Sequence, residues 1–511
     1  MAIEIELTGD GLAVEDVESV ALGRAAVRLG DRAIGRIAAS RALIEQAVES
    51  GTPTYGVNTG FGRFVDVAIA HDEVARLQLN LLRSHACGVG EPFPTEVVRA
   101  AILLRANALA TGASGVRRET VELLLALLAE GVHPRVPSRG SLGASGDLAP
   151  LAHLALPLVG EGEAEIGGEL LPGAEALRRA GLEPLVLGAK EGLALINGTQ
   201  FMTAIGALVL TRAERLAKIA DLAASQSVEA VRGSRTPFSP EIQALRPHPG
   251  QVASAANMYA LLDNSEINES HRWCGRVQDA YSLRCSPQVH GACRDALDYV
   301  RRVVSIEVNA ATDNPLVFAE AGEVLSNGNF HGEPVAIALD TATIALAELA
   351  GIAERRIERM VNPTMSEGLP PFLTKEGGLN SGFMIPHYVA ASLVAENKVL
   401  AHPASVDSIP TSAGQEDHVS MGATAAVHCW QVCVNVERVL AVELLCGAQG
   451  IDFLAPLRPG PGVAALQAAL RERSPHLADD RSLTADIESV AGGIRDGSLL
   501  AAAEAAAGPL S

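Results

Sequence analysis

Aromatic side chains are scarce in this sequence: phenylalanine, tryptophan and tyrosine together make up 3% of its 511 residues. Hydrophobic residues nevertheless reach 48%, and most of them are alanine, leucine, valine and isoleucine. Such side chains suit close packing between helices. A chain of this length buries about three quarters of its unfolded surface on folding, so a large core is expected.

Positive charge is also in short supply. The chain has 40 lysines and arginines against 60 aspartates and glutamates, which gives a formal net charge of −20. Binding to nucleic acid or to an anionic membrane surface needs clustered basic residues. We therefore expect neither as a partner.

Signals for export and for membrane insertion are missing. The first twelve residues, MAIEIELTGDGL, have no basic segment followed by an apolar one, which predicts that no signal peptide is present. The longest apolar candidate, residues 335–353, contains Asp340 and Glu348 and is interpreted as a buried helix. The seven cysteines include no C-x-x-C pair, which is typical of a protein from a reducing cytoplasm.

Metal and nucleotide motifs are absent as well. None of the 13 histidines forms an H-x-x-x-H or H-E-x-x-H pattern, and the short Gly9-Asp10-Gly11 stretch has no strand before it. We expect no metal site and no bound nucleotide.

Helical periodicity is the dominant pattern that is present. Apolar residues recur with helical spacing over residues 71–83, 96–111 and 117–130, and long helices are predicted over 201–231, 335–361, 381–400 and 420–449. A Gly-Gly pair within residues 164–171 predicts a β-hairpin. The fold class is therefore mainly α-helical. Residues 1–200 are expected to form a loop-rich domain, and residues 201–511 a helical bundle.

The most informative segment is the glycine- and proline-rich stretch from Gly140 to Pro150. Within it, the amide nitrogen of Gly146 can reach the carbonyl carbon of Ala144 and close a five-membered ring, because glycine has no Cβ in the way. Loss of water then converts Ser145 into a dehydroalanine, which leaves an electrophilic methylidene-imidazolone. A second Ala-Ser-Gly, residues 113–115, links two predicted helices and is interpreted as an ordinary turn.

Residues 140–150 resemble the signature of the aromatic amino-acid ammonia-lyases. Further motifs of that family follow in family order, and together they are specific. They are residues 54–62 (TYGVNTGFG), 84–90 (SHACGVG), 197–200 (NGTQ), 278–285 (QDAYSLRC), 329–332 (NFHG) and 415–421 (QEDHVSM).

This resemblance implies a fumarase/aspartase-like helical bundle and a homotetramer whose active sites take residues from several subunits. It also implies a 4-methylidene-imidazol-5-one made from Ala144-Ser145-Gly146 without an added cofactor, and an ammonia-lyase activity of the carbon–nitrogen lyase class. Among the carried-over roles, Tyr55 is the general base, and Arg284 holds the substrate carboxylate. The remaining assignments are Tyr281 and Gln278 lining the pocket, Asn197 contacting the electrophile and the substrate amine, Phe330 shielding the ring, and Asp147 assisting cyclisation.

Two residues bear on the choice of substrate. Glu416 can accept a hydrogen bond from an imidazole, whereas phenylalanine- and tyrosine-specific relatives usually carry glutamine at that position. His85, after Ser84, resembles the histidine-specific branch of the family. Together they favour L-histidine as the substrate and trans-urocanate as the product, the first step of histidine degradation. The matched residues leave open whether the amine or the imidazole of the substrate attacks the electrophile.

Three alternatives stay open at this point. The first is a tyrosine or phenylalanine lyase or aminomutase that uses the same electrophile. The second is a lyase of the fumarase and aspartase kind that needs no electrophile. The third is a non-catalytic relative that uses the fold for binding.

Overall fold

The computed structural model describes residues 3–51, 54, 56–59 and 69–511, and within them α-helices dominate. The elements up to the first long helix are β1 (Ile3–Leu7), α1 (Val14–Ala21), β2 (Ala25–Leu29), α2 (Asp31–Ser50), α3 (Val74–His85), β3 (Val89–Pro92), α4 (Thr95–Ala110), α5 (Arg118–Ala129), β4 (Val132–Pro134), β5 (Pro137–Arg139), α6 (Leu148–Ala155), β6 (Glu163–Ile166), β7 (Glu169–Pro172), α7 (Gly173–Arg179), α8 (Glu191–Ile196) and α9 (Gln200–Ala230).

The later elements are α10 (Pro240–Ala244), α11 (Pro249–Leu261), α12 (Glu266–Ser270), α13 (Tyr281–Arg284), α14 (Ser286–Glu307), β8 (Leu316–Phe318), β9 (Glu323–Leu325), α15 (Glu333–Val361), α16 (Met384–Leu400), α17 (Gly422–Asp452), α18 (Pro461–Arg473), α19 (Thr484–Arg495) and α20 (Ser498–Ala507). The prediction of a mainly α-helical protein is confirmed. The long helices α9, α15, α16 and α17 lie where helical periodicity predicted them.

The strands are short and form small sheets among the described residues. β1 and β2 pair in parallel, β3 pairs with β5, and β8 pairs with β9. The predicted hairpin is the β6–β7 pair, in which Ile166 is opposite Glu169. Gly167 and Gly168 make its turn at φ values of 60° and 82°, which side chains with a Cβ rarely adopt.

The chain divides into two compact units, each assembled from separated segments. Unit 1 comprises Met1–Thr211, Arg301–Asp340 and Pro403–Val427, and unit 2 comprises Arg212–Val300, Thr341–His402 and His428–Ser511. The β8–β9 hairpin, which the sequence did not predict, belongs to unit 1, where its residues Leu316 and Val317 are buried. The division into a loop-rich domain, residues 1–200, and a helical bundle, residues 201–511, stays a prediction.

The core of unit 1 surrounds α4. Thirteen of the sixteen residues of this helix are buried, including Arg105 and Asn107. All six residues of α8 are buried as well. Unit 2 has a buried ion pair in its own core, between Arg356 and Glu443, which are fully enclosed and 2.5 Å apart. Both units therefore hold polar groups deep among apolar side chains.

Helix α15 is long and apolar enough to cross a membrane by length and composition alone. Within its most apolar window, 61% of the residues are buried inside the protein. Core helices of water-soluble folds pass the same test, so the burial supports the interpretation of this segment as a core helix.

Candidate functional site

The turn that carries Ala144, Ser145 and Gly146 lies between β5 and α6 in unit 1. Gly143 and Gly146 have φ values of 69° and 74°. A Cβ on Gly146 would lie 2.2 Å from the carbonyl oxygen of Gly198, and one on Gly143 would lie 2.3 Å from the Ser420 Oγ. Both positions therefore require glycine for two reasons, the backbone conformation and the close approach of a second segment.

Asp147 anchors the end of this turn in a fully buried position. Its backbone N–H donates to the Gly198 carbonyl at 2.6 Å, and its Oδ2 accepts from the Met202 N–H at 2.9 Å. Its Oδ1 lies 3.2 Å from the Ser141 Oγ, which is also 3.2 Å from the Gly146 carbonyl oxygen. Burial raises the pKa of Asp147 to about 7, although these hydrogen bonds act in the opposite direction.

The segment Asn197-Gly198 lies against the turn from the other side. The Asn197 Nδ2 donates to the Ser145 carbonyl at 2.7 Å, and Gly198 pairs with Gly146 in an isolated parallel bridge. Asn197 follows directly after the buried helix α8, which sets its position. Two adjacent residues therefore hold the turn at Ser145, Gly146 and Asp147.

A cavity of about 740 Å³ opens above the turn, lined by residues of unit 1. The half-buried Ser145 reaches into it, and its Oγ donates to the Glu416 Oε1 at 2.7 Å. The other carboxylate oxygen of Glu416 accepts from the Thr411 Oγ1, also at 2.7 Å. The turn between these two loop residues includes Ser412 and Ala413 at φ values of 53° and 54°, a costly backbone conformation for residues other than glycine.

His85, the last residue of α3, lines the same cavity. Its Nδ1 lies 2.9 Å from the Leu81 carbonyl oxygen, which can only accept, so Nδ1 carries the proton and Nε2 is left as an acceptor. Burial lowers the pKa of His85, against the opposing effects of the Leu81 carbonyl and the Glu416 carboxylate. A neutral imidazole is therefore favoured here.

The segment after β9 joins the turn to the loop that carries Glu416. Phe330 lines the cavity. The next residue, His331, lies with its Nε2 3.1 Å from the His418 carbonyl oxygen, and the two imidazole rings stack 5.8 Å apart. Gly332 donates from its N–H to the Gly143 carbonyl at 3.1 Å. One short segment thus contacts both loops that form the cavity.

The structure therefore brings part of the predicted set together. The cavity is lined by Ala144, Ser145, His85, Asn197, Phe330 and Glu416, with Gly146 and Asp147 directly beneath. Tyr55, the predicted general base, lies outside the described residues.

Gln278, Tyr281 and Arg284 do not line this cavity. They meet one another in unit 2, where the Arg284 Nη2 donates to the Gln278 Oε1 at 2.9 Å, and the guanidinium lies 4.8 Å from the centre of the Tyr281 ring. Gln278 and Arg284 line a different cavity, of about 650 Å³. The Tyr281 residue is 71% exposed, which leaves this group available to a binding partner.

The second Ala-Ser-Gly, residues 113–115, connects α4 to α5 as predicted. Gly115 also has a positive φ, of 69°, but a Cβ there would meet the side chain of Ile44 rather than a backbone carbonyl. The Ser114 Oγ is buried and has no hydrogen-bond partner within the described part of the chain. The same tripeptide thus has different surroundings in its two copies.

Sequence reasoning missed two residues that support the site. Thr411 gave no signal, because its bond to Glu416 depends on a loop conformation. Arg105 did give one, since it is a lone charge within the apolar run of α4, and its Nη1 donates to the Asn197 carbonyl at 2.7 Å.

One group of side chains in the described part of the chain has metal-like spacing. The ligand atoms of Glu354, Glu358 and His387, in unit 2, lie within 4.8 Å of one another. Arg355 forms ion pairs with both glutamates, and the His387 Nε2 lies 2.8 Å from the Glu354 Oε1. These contacts engage the ligand atoms with one another and with Arg355, and the expectation that no metal is bound stays a prediction.

Residues 12–472 match the family model described as aromatic amino acid lyase. A histidine ammonia-lyase from Gloeobacter violaceus is 59% identical over 504 residues, which cover 99% of this chain and 98% of that protein.

Among solved structures, histidine ammonia-lyase from Trypanosoma cruzi superposes with a TM-score of 0.91 at 44% identity, over 98% of this chain and 95% of that one. Tyrosine aminomutase from Streptomyces globisporus superposes with a TM-score of 0.93 at 41% identity, over 98% of both chains. The predicted family is thereby confirmed, and the chain belongs to the aromatic amino acid lyase family.

Proposed function

We propose that this protein is a histidine ammonia-lyase that eliminates ammonia from L-histidine and releases trans-urocanate, the first step of histidine degradation. The observation that carries the proposal is the cavity in which Ser145 is hydrogen-bonded to Glu416 and faces His85 and Asn197. The matching names of relatives at 51–59% identity over nearly the whole chain support the same reaction class, a carbon–nitrogen lyase.

The electrophile in this proposal is a 4-methylidene-imidazol-5-one formed from Ala144, Ser145 and Gly146. The residues fit that group, because Gly146 has the positive φ and the missing Cβ that its approach to Gly198 demands. When formed, the group supplies an electron-poor carbon that no ordinary side chain offers. Nothing beyond these three residues is required for its atoms.

Asn197 and Asp147 fix the conformation of the turn through hydrogen bonds. The Asn197 amide binds the Ser145 carbonyl and so fixes the plane of the peptide bond between Ser145 and Gly146. Asp147 has a pKa of about 7, so its carboxyl exists in both protonation states near neutral pH and can accept and return a proton. In the proposal Asp147 assists cyclisation, and Phe330 shields the completed ring from one side of the cavity.

The imidazole of the substrate is recognised by two acceptors in the proposal. Glu416 offers carboxylate oxygens that Thr411 holds in place, and His85 offers its unprotonated Nε2. An imidazole N–H donates to such acceptors, whereas the ring of phenylalanine has no polar hydrogen to donate. A site built from buried acceptors rejects a ring that leaves them unpaired.

The substrate carboxylate needs a cation, and in the proposal this is Arg284 of the partner subunit, with Gln278 and Tyr281 beside it. Tyr55 is the proposed base for the β-proton. A guanidinium binds both oxygens of a carboxylate in one plane, and Arg284 is half-buried between the exposed side chains of Gln278 and Tyr281. In the proposal the protein is a homotetramer whose active sites are shared between subunits.

A cytoplasmic location is part of the proposal. All seven cysteines are free thiols, as expected in a reducing compartment.

The deciding experiment offers L-histidine, L-tyrosine and L-phenylalanine separately to the purified protein and follows product formation by ultraviolet absorbance. Urocanate from histidine is expected. Cinnamate or coumarate in its place would overturn the assignment of His85 and Glu416.

Two serine variants form a matched pair for the electrophile. Ser145→Ala should abolish turnover, and its intact mass should not show the loss of two water molecules. Ser114→Ala, in the second Ala-Ser-Gly, should keep both the activity and the mass loss, because its hydroxyl has no hydrogen-bond partner within the described part of the chain.

A further inference from the structure

Arg105 is a fully buried cation beneath the proposed electrophile. Its Nη1 donates to the Asn197 carbonyl at 2.7 Å, while Nε and Nη2 have no hydrogen-bond partner among the described residues. Burial lowers its pKa to about 10, so the guanidinium stays charged at neutral pH. An incompletely bonded buried charge is costly to a fold.

The charges around Arg105 do not require it for balance. Lys190 and Asp313 form their own ion pair at 2.5 Å, and both side chains are fully buried. Arg105 therefore adds a second cation to a pair that is already neutral. Removing that cation leaves Lys190 and Asp313 paired with each other, so the charge balance of this pair does not depend on Arg105.

What Arg105 does contact is the segment that holds the turn. Asn197 lies between Arg105 and the turn: its carbonyl accepts from Arg105, and its side chain donates to the Ser145 carbonyl. A Cβ on Gly198 would lie 2.8 Å from the Arg105 Nη1, so the guanidinium also lies against the residue that bridges to Gly146. A continuous series of contacts thus runs from Arg105 through Asn197-Gly198 to the reacting turn.

We propose that Arg105 is a positioning residue for electrophile formation: it presses Asn197-Gly198 against the turn and so sets the rate at which the ring closes. The inference rests on the proposed electrophile. It concerns the maturation of the protein, before any substrate is bound.

The chemistry needs no co-reactant. The Gly146 nitrogen forms a bond to the Ala144 carbonyl carbon, and the carbonyl oxygen leaves as water with the protons of the Gly146 and Ser145 amides. The Ser145 hydroxyl and its Cα proton leave as the second water, and the electron pair of the Cα–H bond becomes the Cα=Cβ double bond. Arg105 touches none of these atoms and acts through Asn197 and Gly198, because ring closure is sensitive to small displacements of the reacting groups.

The test follows maturation of the full-length chain during cell-free synthesis, with intact mass measured over time and the melting temperature measured at the end. For Arg105→Met we expect loss of the two waters to be slowed roughly tenfold or more, with little change in melting temperature. Asn107→Ala is the matched control. It removes a buried hydrogen bond to Val308 from the same helix α4 without touching Asn197, and should lower the melting temperature while maturing at the wild-type rate.

Maturation of Arg105→Met at the wild-type rate would overturn the inference, and so would equal slowing of both variants, which would indicate general destabilisation. If Arg105→Met is recovered unfolded, Arg105→Lys decides: with its shorter reach it should mature more slowly than wild type, and a wild-type rate would refute the positioning role. A wild-type chain that never loses two waters would overturn both this inference and the proposed electrophile. Loss of two waters in wild type with unaffected Arg105 variants would overturn this inference alone.

Discussion

At the residue scale, the position of Glu416 is set by hydrogen bonds to both of its carboxylate oxygens. One accepts from Ser145 and the other from Thr411. This carboxylate cannot turn freely, because a strained turn at Ser412 and Ala413 holds the backbone on one side of it. Loss of the Ser145 hydroxyl during electrophile formation frees Oε1 to accept from the substrate, while Thr411 still holds Oε2. The carboxylate is therefore positioned by its own loop before substrate arrives, as recognition of a ring N–H requires.

Replacing this acceptor should separate substrate recognition from maturation. For Glu416→Gln we expect kcat for L-histidine to fall about a hundredfold, because an amide cannot carry the carboxylate's charge. The intact mass should still show the loss of two waters. Asp407→Asn, at an exposed position in the same connection between α16 and α17 but outside the cavity lining, is the control and should retain most of the activity. Near-normal kcat in Glu416→Gln would remove Glu416 from its proposed role.

A second residue-scale effect concerns stability and belongs to unit 2. Glu229 is fully buried, its Oε1 accepts from the Gly460 N–H at 2.9 Å, and burial raises its pKa to about 7. An unfolded glutamate titrates near 4.3. The contribution of the protonated form to stability is therefore complete below about pH 4 and is lost as the pH rises through about 7.

Glu229→Gln stays neutral at every pH. The difference between its melting temperature and that of wild type should therefore shift in favour of the variant between about pH 5.5 and about pH 8.5, because only wild type loses stability there. The corresponding difference in unfolding free energy approaches about 4 kcal/mol once the wild-type carboxyl is fully ionised. The exposed Glu472→Gln serves as the control and should run parallel to wild type. Parallel curves for Glu229→Gln as well would show that Glu229 does not titrate in this range.

At the scale of elements, the conformation of the turn that carries Ala144, Ser145 and Gly146 depends on the segment that follows α8. β5 ends just before the turn and α6 begins just after it, while α8 delivers Asn197 and Gly198 from the side. Gly146 has the backbone carbonyl of Gly198 where a side chain would otherwise lie. A backbone group cannot rotate away, so this contact is rigid in a way that a side-chain contact is not.

Gly146→Ala should therefore fold without completing the ring. The added Cβ would force Gly198 away from the turn, and we expect activity to fall at least about a hundredfold, with the intact mass retaining both waters. Gly131→Ala isolates the effect of the backbone conformation, since Gly131 has a φ of 66° and open space around its Cβ position. That variant should lose about 1 kcal/mol of stability and mature normally. Complete water loss in Gly146→Ala would contradict the close-approach argument.

At the scale of the whole molecule, the groups proposed to act on one substrate lie in two different cavities of the chain. Ser145 and Glu416 line the cavity of unit 1, and Arg284 and Gln278 line another in unit 2. The shared-site proposal explains this distribution by supplying the second group from a neighbouring subunit. Oligomer formation and activity would then be inseparable.

Mixed oligomers test that proposal. Ser145→Ala and Arg284→Met should each be inactive alone, but co-expression should restore activity at about a quarter of the sites if the two chains mix at random in a closed oligomer. The restored sites would combine Ser145 from one chain with Arg284 from another. Mixtures of wild type with a tagged wild type establish that the subunits do mix. Absence of restored activity in mixtures that contain both chains would place each site within a single subunit.

Patterns of neighbouring residues predicted many of the secondary-structure elements. The helices α4, α5, α9 and α15 appeared in the sequence as apolar periodicity, and the β6–β7 hairpin as its Gly-Gly turn. The β8–β9 hairpin did not, because three-residue strands are too short to show an alternating pattern. The family and its chemistry followed from the order of several short motifs. The tripeptide Ala144-Ser145-Gly146 alone could not have been told apart from the identical residues 113–115.

The sequence by itself determined the mainly helical class, the family, and the residues able to form the electrophile, because each of these is written in short stretches of neighbouring residues. Only the tertiary structure decided which Ala-Ser-Gly is contacted by a second backbone segment. It also decided that Glu416 contacts Ser145, 271 positions away in the chain, and that burial brings the pKa of Asp147 to about 7. It alone placed Arg105 behind Asn197. These properties arise from contacts between distant segments, and the residues on either side of such a contact do not reveal which distant segment they will meet.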